Sequence, residues 1–174
     1  EERQITYDGT TYPMEFPFLV IATQNPIEQE GTYRLPEAQL DRFLFRIKLH
    51  YPKLIEEQMI LMRYKEEIKS PDLNEIVPVF TATELHEIQE LIKKVKVEDQ
   101  LMRYIAEITH HTREHGKLYL GASPRASLAM LKSAKTMAAI RGRDFITPDD
   151  VQNVAYHVLN HRIILSPEAE MEGM

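Results

Sequence analysis

Residues 18–22, Phe-Leu-Val-Ile-Ala, are apolar without a break, and Thr23-Gln24-Asn25-Pro26 follows at once. Nothing else in the chain limits its fold so strongly. A half-buried strand alternates apolar and polar residues, because successive side chains face opposite sides of the sheet. This run is apolar on both sides. That is the pattern of a strand in the middle of a parallel sheet, with helices covering each face. Pro26 lacks the N–H that a ladder needs, so the strand is expected to end where the polar residues begin. In open parallel sheets, ligands bind beyond the carboxyl ends of the strands. Asn25 stands at that end, and its side chain both donates and accepts hydrogen bonds, which suits it to hold a water beside a phosphate.

The flanking sequence extends this reading. Residues 3–7 alternate polar and apolar, Asp8-Gly9 follows, and Tyr12, Met14 and Phe16 alternate again. An Asp-Gly pair between alternating segments signals a tight hairpin, whose turn needs positive φ. Residues 43–51 form a second, more mixed strand candidate. From Pro52 onward the spacing becomes helical. Ile55, Met59, Met62 and Ile68 form one stripe. Leu85, Ile88, Leu91 and Ile92 form another, with Thr83 as N-cap, and Leu101, Ile105 and Ile108 a third. Ser123-Pro124 and Thr147-Pro148-Asp149-Asp150 each pair a capping residue with proline at the first helical position. The first of these helices is expected to run to Gly142. The acidic tail from Ser166 shows no stripe and is expected to fray. The expected fold class is therefore a partial α/β core, residues 1–52, followed by an all-helical unit, residues 53–174.

Composition narrows the function. The 174 residues contain no cysteine, which excludes disulfides, thiolate metal sites and a cysteine nucleophile. The formal charge of −6 argues against broad attraction to nucleic acid or anionic lipid. No apolar stretch reaches transmembrane length. The chain starts Glu-Glu-Arg-Gln and is strand-like by residue 5, so it is expected to be a piece of a longer protein.

Residues 22–43, ATQNPIEQEGTYRLPEAQLDRF, resemble the MoxR group of AAA+ ATPases, and residues 121–126, GASPRA, resemble the second sensor of the same family. The hairpin at residues 3–16 is placed like the insertion that precedes sensor 1 in that branch. The resemblance covers most of the chain in order and spacing. It implies a nucleotide-binding core and a helical lid, assembled into a hexameric ring that uses ATP with Mg2+. It also implies that the phosphate loop and the acidic magnesium-binding strand lie upstream, outside these residues. Carried over by position, Asn25 matches sensor 1 and would orient the attacking water. Arg42 matches the arginine finger that reaches a neighbouring subunit's nucleotide. Arg125 matches sensor 2 and would contact phosphates in its own subunit. Guanidinium groups are permanently charged and bind phosphate oxygens two at a time. Arg34 stands where the family usually has proline, which leaves it and Arg42 as alternative fingers.

Simpler readings accompany each residue. Asn25-Pro26 alone is a turn former, and Arg42 alone could pair with Asp41 or Glu37. Arg125 lies in the first turn of a helix, where the dipole disfavours a cation and favours an anionic ligand beside it. His111 with His115, and His157 with His161, share helix faces, but no third ligand is visibly placed, so no metal site is expected. Lys93-Lys94-Val95-Lys96 is a basic run suited to a helix end. Met59, Met62, Met130 and Met137 read as core filler.

The expected function is ATP-driven, chaperone-like remodelling of partner proteins. The resemblance implies clients that include proteins with von Willebrand A-type domains, and a cytoplasmic location is expected. The alternatives are a helical interaction module with vestigial ATPase residues, or an AAA+ protein acting on nucleic acid. The hairpin tip Asp8-Gly9-Thr10-Thr11 carries no cation, which counts against the last.

Overall fold

A computed structural model describes residues 4–24, 35–65 and 76–173. Asn25 and Arg34 lie outside the described residues, as does Ile68. The chain divides into two compact units, one of residues 1–46 with 82–174 and one of residues 47–81.

The larger unit opens with the hairpin. Strands β1 (Gln4–Tyr7) and β2 (Thr10–Pro13) pair antiparallel, with Ile5 opposite Tyr12 and Thr6 opposite Thr11. Asp8 and Gly9 both take positive φ, 48° and 74°, as a two-residue hairpin turn of this hand requires. Residues 18–22, expected as a central strand, have no ladder partner among the described residues. Leu19 is 79% exposed and Ile21 80% exposed. The run has the composition of a doubly covered strand, but among the described residues no strand lies beside it and no layer covers either face.

The core lies among helices α3 (Ala82–Lys93), α4 (Asp99–Glu114), α5 (Pro124–Ile140) and α6 (Pro148–Leu159). Two short helices also belong to the described residues of this unit, α1 (Glu37–Leu40) and α7 (Pro167–Met171). Helix α5 is central and packs against α3, α4 and α6. Its buried residues are small, Ala126, Ala129, Ala134 and Ala138, with Met130 fully enclosed. Small side chains let α5 approach Val151 and Val158 of α6 closely, and Ile105 of α4, Val95 and Ile146 fill the remaining space. Of the expected stripe at Leu101, Ile105 and Ile108, Ile105 is buried in this core and the other two pack against it.

The helix ends follow local chemistry. Ser123 caps α5, accepting a hydrogen bond from the Arg125 N–H at 3.2 Å, with Pro124 at the first position. At the other end Gly142, at φ 71°, lets the Arg143 N–H reach back to the Ala138 carbonyl at 2.9 Å. At the start of α6 the Thr147 N–H donates to Asp150 Oδ2 at 2.9 Å, so the acid three residues on closes the first turn. Asp150 is fully buried and also takes Arg143 Nη2 at 2.6 Å and Arg141 Nη1 at 3.0 Å. Helix α3 begins at Ala82, so Thr83 lies inside the helix rather than before it.

Two further expectations are corrected. The tail from Ser166 is ordered: Ser166 caps α7, Ala169 is buried, and Lys117 Nζ pairs with Glu172 at 2.9 Å. Five residues are too few to show a periodic stripe, and the docking rests on Ala169, the Lys117–Glu172 pair and the Ser166 N–H donating to the Lys117 carbonyl at 2.9 Å. The methionines divide. Met130 is core, but Met59 and Met62, 64% and 75% exposed, lie on α2 (Leu54–Arg63) in the smaller unit, where every helix residue is exposed. No described element of that unit packs on α2 to enclose them.

The basic run lies at the end of α3, with its lysines exposed and its valine buried. Val95 enters the core, Lys93 pairs with Glu90, and Lys96 Nζ meets Asp144 at 3.1 Å. The chain at Lys96 bridges in parallel to Phe145, which joins the α3–α4 and α5–α6 connections. Strands β3 (Leu118–Leu120) and β4 (Ile164–Leu165) pair antiparallel, and β3 packs on α4.

Candidate functional site

The segment GASPRA is built residue by residue. Gly121 passes so close to α4 that an added Cβ would stand 2.6 Å from the Arg113 Cα and 2.7 Å from the Thr112 carbonyl oxygen. Ala122 is then held on both sides. Its N–H donates to Thr112 Oγ1 at 2.9 Å, and its carbonyl accepts from Arg113 Nε at 2.8 Å. Ser123 caps the helix, Pro124 starts it and Ala126 sinks into the core. Arg125 is left exposed on the first turn. The motif delivers one guanidinium at a fixed helix N-terminus, where backbone N–H groups already favour an anion.

The segment LDRF is held by a different device. Residues 43–51 were expected to form a strand, and none of them enters a ladder. Side chains take up the carbonyls of this stretch instead. Arg162 Nη1 donates to the Leu44 carbonyl at 3.2 Å and Nη2 to the Phe43 carbonyl at 2.6 Å. His161 Nε2 lies 3.0 Å from the Phe43 carbonyl, and Asn160 Nδ2 donates to that of Arg46 at 2.9 Å. The Arg46 N–H returns a bond to the His157 carbonyl at 3.0 Å, and the Phe45 ring meets the His157 ring edge-on. The turn after α6 thus replaces a neighbouring strand.

Both segments meet at Asp41. Its Oδ2 accepts from Ser123 Oγ at 2.8 Å and lies 3.9 Å from Arg125 Nη1, while its Oδ1 accepts from Arg162 Nε at 2.9 Å. The carboxylate of Asp41 faces these groups, and the side chain of Arg42 next to it is exposed. One carboxylate therefore serves the arginines at 125 and 162, with a third arginine adjacent in the chain, and exposed guanidinium groups of this kind suit an anion such as phosphate. Burial pushes the Arg162 guanidinium below its ordinary pKa, and Asp41 opposes that shift. Burial also lowers His161, and Arg162 and Arg46 add to this against the opposing pull of the Phe43 carbonyl and Asp41.

Of Asn25, Arg42 and Arg125, the structure places Arg125 at the Asp41 carboxylate and leaves Arg42, the next residue in the chain, exposed. Asn25 lies outside the described residues. Sequence reasoning missed Arg162 and the bridging role of Asp41. A signal was present: Arg162 directly precedes the apolar run Ile163-Ile164-Leu165, just after α6. Such a charge is rarely buried unless paired. For ATP, the exposed guanidinium groups of Arg42 and Arg125 fit phosphate oxygens. For Mg2+, the described residues contain no cluster of three His, Asp or Glu able to hold a metal ion. Residues 1–174 contain no Gly-rich loop ending in Lys-Ser or Lys-Thr.

Residues 1–45 match the family described as ATPase family associated with various cellular activities (AAA), and residues 110–174 match the AAA lid domain. Over all of this chain and 53% of its own length, the uncharacterized protein YeaC of Bacillus subtilis is 43% identical. Chaperone MoxR1 of Mycobacterium tuberculosis is 40% identical over 97% of this chain and 46% of its own length. The chain belongs to the MoxR family of AAA+ ATPases. The crystal structure of a candidate ATPase from Cytophaga hutchinsonii superposes with a TM-score of 0.87 at 41% identity, over 99% of this chain and 54% of that one. The chain spans about half the length of these MoxR-type relatives. No helix among the described residues is long and apolar enough to cross a membrane.

Proposed function

We propose that this chain supplies the arginine-bearing half of an AAA+ nucleotide site, in a protein that hydrolyses ATP to remodel or activate partner proteins. The observation that carries the proposal is the meeting at Asp41, where the helix start bearing Arg125 and the segment bearing Arg42 share one carboxylate. The family membership and the relative named as a chaperone support the same reading. Phosphoryl transfer is catalysed mainly by positioning and charge neutralisation, and fixed arginines supply both. In this reading Arg125 is sensor 2 and contacts phosphates in its own subunit. Arg42 is the finger that acts across a subunit interface, and Asn25 orients the attacking water. The nucleotide is ATP, which brings Mg2+ as a Lewis acid at the phosphates. The division at residue 52 separates core from lid, a hexameric ring is the working assembly, and the site of action is the cytoplasm. Clients with von Willebrand A-type domains fit the family.

The test is made on the full-length gene product. Arg42→Ala is expected to lower ATP turnover by about 10³ while leaving nucleotide binding nearly intact. Arg125→Ala is expected to weaken both. Mixing Arg42→Ala subunits with subunits that keep Arg42 but cannot bind ATP restores part of the activity if Arg42 acts across an interface. If Arg34→Ala shows that pattern and Arg42→Ala behaves as wild type, the finger is Arg34. Absence of ATP turnover in the wild-type protein rejects the reading.

A further inference from the structure

We infer that Arg162 is a positioning residue that ties the segment carrying Arg42 to the helix start carrying Arg125. The catalytic consequence rests on the nucleotide reading above, whereas the tie itself rests on geometry alone. Arg162 is only 6% exposed. Its guanidinium donates to Asp41 Oδ1 at 2.9 Å and to the carbonyls of Asp41, Phe43 and Leu44 at 3.0, 2.6 and 3.2 Å, and it also reaches the Val158 carbonyl. Three of these carbonyls fall within residues 41–44, a stretch with no ladder of its own. A guanidinium is a rigid planar fork, so donors that engage these acceptors together set the path of that backbone. That path leaves the Arg42 side chain exposed.

The second half of the tie runs through Asp41. Its Oδ1 is held by Arg162, and its Oδ2 holds the Ser123 hydroxyl at 2.8 Å, beside Arg125 Nη1 at 3.9 Å. Ser123 is the cap of α5, so a displacement of Arg162 is passed through one carboxylate to the turn that presents Arg125. A lysine at position 162 retains the charge but has a single donor centre that cannot span the fork of acceptors. The two arginine sites are therefore mechanically joined by a residue that lies about 120 positions from one of them in sequence.

The test compares wild type with Arg162→Lys in the full-length gene product, by steady-state ATP turnover and by amide hydrogen exchange. Arg162→Lys is expected to lower kcat by about 10- to 100-fold with little change in KM, the mark of misplaced rather than missing binding groups. Exchange is expected to accelerate both at residues 43–46 and at residues 123–126. Unchanged kcat in an active protein, or faster exchange at residues 43–46 alone, overturns the inference. If the wild-type protein turns over no ATP, the nucleotide reading fails while the exchange pattern still decides the tie. If Arg162→Lys does not fold, Ser123→Ala replaces it. That variant cuts the tie and leaves Arg162 in place, and unchanged exchange at residues 43–46 then overturns the inference.

Discussion

Arg162 and Asp41 meet twice, through Nε to Oδ1 at 2.9 Å and through Nη2 to the Asp41 backbone carbonyl at 3.0 Å. A buried cation held in this way is costly to lose from one side only, because its acceptors stay behind without donors. Arg162→Ala should therefore destabilise the larger unit by about 3–5 kcal/mol. Denaturant unfolding measures this, and a loss below about 1 kcal/mol would show that water replaces the guanidinium freely.

Gly121 admits no side chain. Its neighbours there are backbone atoms of α4, which cannot turn aside as a flexible side chain can. Gly121→Ala should cost about 1–3 kcal/mol through overpacking and should loosen the turn before Ser123. Thermal unfolding checks the first expectation. A wild-type melting temperature would mean that α4 yields at Thr112 and Arg113.

Asp150 sets a pH dependence at the acid end. Arg143, then the Thr147 backbone and hydroxyl, hold its carboxyl down to about 2 against the opposing effect of burial. The unfolded chain takes up this proton first, so the stabilisation is full above pH ~4 and is lost as pH falls through about 2. Asp150→Asn should lower stability at neutral pH by about 1.5–3 kcal/mol and flatten the acid limb of the stability profile. An unchanged acid limb would assign that limb to other carboxylates.

His161 acts in the opposite part of the scale. Its folded pKa lies below the ordinary imidazole value, chiefly through burial. Below pH ~6.5 the unfolded chain binds a proton that the folded chain refuses, so stability should decline as pH falls from there toward the lowered folded value. Melting temperatures at pH 7.5 and 5.5 are the readout. His161→Gln should shrink the difference between them, and an undiminished difference would reject this source.

The helical part of the fold was legible where pattern and cap coincide. Ser123-Pro124, Thr147-Pro148 and the stripe at Leu101, Ile105 and Ile108 combine local propensity with an apolar face, and both effects point to the same element. Asp8-Gly9 was legible for a similar reason, since its turn demands positive φ that few residues supply cheaply. Residues 18–22 carry the composition of a covered strand, but a ladder is a property of two segments and no described partner lies beside this one. Residues 43–46 misled because apolar spacing says nothing about what takes the carbonyls, which here are the side chains of residues 160–162. Sequence marked Arg125 and Arg42 by motif, yet the carboxylate joining them was legible only as an ordinary ion-pair partner. Contacts of such long sequence separation leave no periodic trace.

Helices α5 and α6, joined by the short connection around Gly142, place the start of one and the end of the other at the same pole, beside Asp41. The 17 residues of α5 span about 25 Å at 1.5 Å per residue. A tilt of only about 5° about the Asp41 pole sweeps the Gly142 end through about 2 Å over that length. The pair is thus a lever with its fulcrum at a carboxylate, and any rearrangement begun among the arginines is largest at the Gly142 end of these two helices.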